Sequence, residues 1–177
     1  MVETLEIRLG RAFHAVMEHV DKPLVAAQPQ ALAPGCAWLD RLLAILALTP
    51  AEQAMVCQAV AMVLSNSAAR RVLFPTDDST QVLIEADCLD ADGQWLRPDR
   101  VLVDPAGQSI RLIDFKWRVL PSEHGDYIAQ LARYAAVLLK AYPAYQLQAY
   151  LIDALGGVWH CRDGELVHCW SAGRPAL

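Results

Sequence analysis

The chain has 177 residues, 55% of them hydrophobic and 20% charged, with mean hydropathy +0.23. That excludes a disordered tail and supplies enough apolar side chain for one buried core. Fifteen Lys plus Arg against twenty Asp plus Glu give a net charge of −5, the opposite of the basic excess shown by a domain that grips nucleic acid unaided. No apolar run reaches the roughly 18 residues of a membrane span, residues 42–48 being the stretch that comes nearest. Residues 1–6 are acidic where a signal peptide is basic, so the expectation is a cytoplasmic protein with no membrane partner. Five scattered cysteines, Cys36, Cys57, Cys88, Cys161 and Cys169, point to reduced thiols with no disulfide framework.

Residues 5–20 read as an amphipathic helix, because Leu9, Phe13, Val16, Met17 and Val20 fall on one stripe at helical spacing. His14 lies at the edge of that stripe, and Gly10, one turn earlier, is expected to leave room beside the imidazole. Residues 22–35 read as a loop and residues 36–48 as a second helix. Thr49-Pro50-Ala51-Glu52 then supplies an N-cap, a proline at the first helical position and a glutamate able to close a capping box. The third helix should run to about Ser65, and both helices read as packing elements.

Beyond Arg70-Arg71 the texture changes to short β-prone runs at 81–89, 95–103 and 109–117. Turn residues at 90–93 and 104–107 separate them, which predicts an antiparallel meander. A helix over 123–142, a strand over 146–152 and a last hairpin, 158–161 with 166–170, complete the order, with a loose tail to Leu177.

Opposed residues of an antiparallel hairpin have position numbers with a constant sum. A turn centred near residue 106 sets Asp99 opposite Ile113 or Asp114, and one centred near 92 sets Glu85 opposite Asp99. Three acids would then stand side by side on neighbouring strands, which a fold tolerates only with something positive between them. Lys116 is one such group, about 7 Å along the strand from Asp114 on the same face. A hard divalent cation is the other, since clustered carboxylates beside a backbone carbonyl are the ligands Mg²⁺ prefers. The plainer reading is a buried Asp114–Lys116 ion pair, with Asp99 paired to Arg97 or Arg100.

Pro98-Asp99, followed after fourteen residues by Asp114-Phe115-Lys116, resembles the signature of the PD-(D/E)XK nucleases. The segment Leu9-Gly10-Arg11-Ala12-Phe13-His14 is similar to the N-terminal histidine helix of RecB-type nucleases. Gln130-Leu131-Ala132-Arg133-Tyr134-Ala135 resembles the glutamine and tyrosine helix that follows their catalytic lysine. The four elements occur in the family's order across most of the chain. One departure is Arg97-Pro98 where family members often carry a small glycine.

The resemblance implies a restriction-endonuclease-like α/β core: a mixed sheet flanked by helices, with the helices of 36–65 as an added layer. It implies one domain, helical over about 1–70, with the sheet and catalytic core over about 71–170 and the tail over 171–177. It further implies that His14, Asp99, Asp114 and the carbonyl of Phe115 bind Mg²⁺, for which Mn²⁺ would substitute. Lys116 would assist the attacking water or the phosphate, and Gln130 and Tyr134 would support the site or the DNA; Glu85 is a candidate outer ligand. Tyr127 shares the face of Gln130 and Tyr134 and would extend it.

The activity so implied is that of a deoxyribonuclease, an exonuclease module of a helicase-nuclease system for double-strand-break repair or recombination. No GxxxxGK[ST] pattern occurs, so unwinding would come from a helicase domain or subunit. The rivals are a nuclease for RNA or branched DNA, and a catalytically silent nuclease fold that guides DNA or docks a helicase.

Two metal readings are set aside. His160-Cys161 and His168-Cys169 resemble a zinc set, but pairing His160 with Cys169 and Cys161 with His168 throws the two pairs onto opposite faces. The four-cysteine spacing of the iron-sulfur relatives is absent.

Overall fold

A computed structural model of the chain describes residues 4–20, 37–75 and 77–170. The loop of 22–35, Cys36 and the tail of 171–177 lie outside the described residues.

Helix α1, Leu5–His19, starts where the Thr4 side chain accepts a hydrogen bond from the Ile7 amide, and buries Leu9, Ala12, Phe13, Val16 and Met17. The stripe read from the sequence is therefore the buried face. Helix α2, Ala37–Ile45, is shorter than expected and stops before Leu46. Helix α3, Pro50–Ser65, has the capping box in full: the Glu52 amide donates to Thr49 Oγ1, and Glu52 Oε2 accepts from the Thr49 amide. The sequence reading missed α4, Ser67–Leu73. Asn66 creates it, since its side chain accepts from the amides of Ala68 and Ala69 and donates to the carbonyl of Gly156 at 2.7 Å. One residue thus caps a helix and ties the helical layer to the sheet.

The strands are β1 (Gln81–Ile84), β2 (Cys88–Leu89), β3 (Trp95–Leu96), β4 (Arg100–Asp104), β5 (Ser109–Lys116), β6 (Gln146–Asp153), β7 (Val158–Arg162) and β8 (Glu165–Trp170). Six form one sheet in the order β1-β4-β5-β6-β7-β8, while β2 and β3 pair separately. Only β5 and β6 run parallel, and helix α5, His124–Ala141, makes that crossover after a short 3-10 turn at Pro121–Glu123. The chain is α/β, a mixed sheet between helices, as the resemblance implies.

The expected first hairpin is broken into two ladders that keep one register, Ile84 opposite Arg100 and Cys88 opposite Leu96. Glu85 has φ +45°, outside strand geometry, and Pro98 has no N–H to give a ladder. The last hairpin turns on Asp163 and Gly164, both at positive φ. Its register corrects the expected one: His160 faces Val167 and His168 faces Trp159, with a bulge near Val158.

Two cores cover the sheet. Phe13, Val16, Met17, Val60 and Leu73 of the helical layer pack on Leu102, Ile113, Phe115 and Ile152. On the other face, Leu131, Tyr134 and Leu138 of α5 pack on Val101, Val103, Leu112 and Leu151. Strand β5 is therefore buried on both sides, apart from its end.

Candidate active site

The end of β5 is where the two cores meet charged groups. Phe115 points into the helical layer, its ring edge-on to Phe13 and to His14 at 6.1 Å. Phe13 also meets Trp117 at 6.1 Å, so aromatic packing presses α1 onto β5 and delivers His14 to the strand end. Gly10 does not make room for the imidazole as expected: a Cβ there would meet the Cβ of Trp117 at 3.6 Å, an ordinary contact.

Asp99 lies one residue before β4. Arg100 faces Ile113, so continuing the register one step sets Asp99 level with Asp114, one of the two arrangements expected. The same continuation sets Glu85 opposite Asp99, and the Glu85 amide donates to the Asp99 carbonyl at 3.1 Å. Asp99 Oδ2 accepts from the Phe115 amide at 2.6 Å and lies 3.3 Å from His14 Nδ1. It pairs with neither arginine. Arg97 turns to Asp87 at 2.8 Å and Glu85 at 3.9 Å. Buried Arg100 donates to the carbonyls of Leu73, Glu18 and Val20, so its guanidinium ties the end of α1 to the residue next to Asp99.

Asp114 is 1% exposed. Its Oδ2 lies 2.6 Å from Lys116 Nζ, yet the approach lacks hydrogen-bond geometry and that oxygen has no hydrogen-bond partner. The expected ion pair is present, incompletely satisfied. Burial, then the charge of Asp99, push the Asp114 carboxyl above its usual range, against the pull of Lys116. For His14 burial acts to lower the pKa, but the hydrogen bond and charge of Asp99 and the charge of Asp114 outweigh it and raise the pKa.

Helix α5 supplies the rest. Lys116 Nζ donates to Gln130 Oε1 at 3.0 Å, Gln130 Nε2 donates to the Tyr134 hydroxyl at 2.9 Å, and that hydroxyl donates to the Arg97 carbonyl at 3.4 Å. A hydrogen-bonded chain thus runs from the DXK strand to the backbone beside Pro98-Asp99. Gln130 and Tyr134 face the protein's own site groups.

Glu85 is the least integrated of the expected residues, its side chain 46% exposed and shared with Arg97. It nevertheless lines a cleft of about 390 Å³ with Gly10, Arg11, His14 and Glu18. Glu18 was missed, although it sits one turn after His14 and the i, i+4 spacing could have revealed it. Burial, with Glu85 and Asp99 close by, raises its pKa to about 7.

Among the described residues no three His, Cys, Asp or Glu side chains already encircle one point. Lys116 and His14, basic groups of the protein's own, face the two carboxylates instead. Two carboxylates at adjoining strand ends, one with a buried oxygen that makes no hydrogen bond, suit a hard divalent ion, and the His14 imidazole adds a borderline donor.

A family model of the PD-(D/E)XK nuclease superfamily matches residues 2–160. The chain belongs to that superfamily. The match spans every residue of the constellation, from His14 to Tyr134, and nucleases of the superfamily generally use divalent metals. Pro98-Asp99 and Asp114-Phe115-Lys116, the residues that resemble the PD and DXK signature, lie within the matched span. A search of curated proteins finds no match. No helix among the described residues is long and apolar enough to cross a membrane.

Proposed function

We propose that the chain is a Mg²⁺-dependent deoxyribonuclease, with Mn²⁺ able to substitute, acting as the exonuclease module of a cytoplasmic helicase-nuclease system for double-strand-break repair or recombination. The observation that carries this reading is the meeting of Asp99, Asp114, Lys116 and His14 at one end of β5. The net charge of −5 supports delivery to DNA by a helicase domain or subunit. The 1–177 chain acts as one nuclease domain.

In this reading His14, Asp99, Asp114 and the Phe115 carbonyl hold the ion, and Glu85 and Glu18 set the charge of the adjoining cleft. A bound divalent ion supplies charge neutralisation at the scissile phosphate and a more acidic water. Lys116 donates to the phosphate or the attacking water, placing a fixed positive charge where negative charge builds. Gln130 orients Lys116, and Tyr134 fixes the backbone before Asp99. Water adds to phosphorus as one bridging P–O bond breaks, and the departing oxygen takes up a proton.

The test is incubation of the purified protein with linear and circular DNA, with Mg²⁺, Mn²⁺ or EDTA. Loss of linear DNA alone, abolished by EDTA, is the expected result; cleavage of the circle would make it an endonuclease. DNA binding without hydrolysis under either metal would establish the catalytically silent alternative.

A further inference from the structure

Lys116 has a third neighbour that none of the superfamily's motif residues provides. Its Nζ lies 5.2 Å from the ring centroid of Tyr127, in the first turns of α5. The Tyr127 hydroxyl is itself held, donating to Glu123 Oε2 at the head of the helix, with the Arg118 carbonyl 3.4 Å away. Burial and then Glu123 push the phenol pKa upward, which keeps that hydroxyl a neutral donor.

The surroundings of the ammonium follow from these contacts. Gln130 Oε1 accepts from it at 3.0 Å, Asp114 Oδ2 lies 2.6 Å away as a charge partner without hydrogen-bond geometry, and the Tyr127 ring offers its face. The lysine side chain is 19% exposed. A lysine stem has four rotatable carbon links, so an ammonium that must stay at a fixed point needs walls as well as acceptors. An aromatic face attracts a cation without consuming an N–H. Tyr127 can therefore confine Lys116 while leaving a hydrogen for substrate, which a further acceptor would not.

We propose that Tyr127 is a positioning residue for Lys116, a ring wall clamped by Glu123 that holds the ammonium beside Asp114. The inference rests on the reading of Lys116 as the reacting lysine, and its test has two arms so that the two can fail separately.

The first arm reads geometry with no DNA or metal. The chain has only three lysines, Lys22, Lys116 and Lys140, so isotope-labelled lysine gives three resolvable side chains, with Lys116 assigned by Lys116→Ala. The ε-CH₂ protons of Lys116 should show an upfield ring-current shift, kept in Tyr127→Phe and lost in Tyr127→Leu. An unshifted Lys116 in the unsubstituted protein, or a shift that survives Tyr127→Leu, overturns the proposal.

The second arm is kinetic. Tyr127→Leu should lower kcat about tenfold with KM for DNA within about twofold, and Tyr127→Phe should restore kcat to within about threefold. Added to Lys116→Ala, Tyr127→Leu should cost nothing further, because it acts only through the lysine. A raised KM with unchanged kcat would make Tyr127 a DNA contact, and additive losses would make it an independent support; either result overturns the proposal. A protein that shows the ring-current shift but cleaves no DNA would refute the nuclease reading and leave the positioning geometry standing.

Discussion

The end of β5 and the β7–β8 hairpin both concentrate titratable side chains in the sequence, and they fare oppositely in the fold. At β5, Asp114 is 1% exposed, with a helical layer on one side and α5 on the other. In the hairpin, His168 and Cys169 are exposed, and the register sends neighbouring residues to opposite faces. His160 stacks on Tyr150 at 4.7 Å, while His168 lies against Trp159 at 4.3 Å. Each imidazole there has found its own aromatic neighbour. Titratable residues form a coupled cluster where packing drives them toward one another away from water, because only there does each depend on the others for compensation.

Substitutions can break this contrast, the largest effect first. Asp114→Ala should lower DNA turnover by about 1000-fold or more, with the circular dichroism spectrum unchanged; surviving activity would remove Asp114 from the site. Lys116→Ala should lower turnover about 100-fold and leave metal affinity, measured by calorimetry, within about threefold. Equal loss of both would reduce the Asp114–Lys116 contact to a structural ion pair.

Asn66→Ala tests the join between the helical layer and the sheet. It removes the cap of α4 and the bond to Gly156, the residue that leads into β7. The expected cost in denaturant unfolding is about 2 kcal/mol, with turnover below the transition unchanged. In contrast, His160→Ala and Cys169→Ser should each stay within about 0.5 kcal/mol and leave turnover within about twofold. A large kinetic loss from either would mean that the hairpin takes part in the chemistry.

A pH effect sharpens the contrast away from both regions. Arg8 first, then the Thr49 amide and hydroxyl, hold the Glu52 carboxyl down at about 2, against an ordinary 4.5. A depressed acid stabilises the fold above its unfolded pKa and loses that contribution as pH falls toward its folded one. Glu52→Gln should therefore lower the Tm at pH 7, and the gap to the unsubstituted protein should close between pH 4.5 and about 2. A gap independent of pH would assign the effect to packing.

Much of this was legible in the residues because the signals are local. The Leu9–Met17 stripe, the Thr49 capping box and the turns near 92 and 106 each depend on a few neighbouring side chains. The two turn centres carried the acids to within one residue of their observed alignment. What escaped depends on distant partners. Helix α4 follows from Asn66, whose side chain is satisfied partly from Gly156, ninety residues on. The hairpin register was misread because the Asp163-Gly164 turn takes positive φ at both positions, shifting every later pair.

The sequence by itself determined the identities and order of the candidate residues and the periodicities that place them on or beside α1, β4, β5 and α5. Tertiary structure decided their relations. It turned Asp99 to His14 and the Phe115 amide in place of Arg97 or Arg100, and it set Lys116 between Asp114, Gln130 and Tyr127. The physical reason is range: caps and periodicity act over one or two helical turns, whereas the partner of a buried charge is whichever group close packing brings to it from elsewhere in the chain.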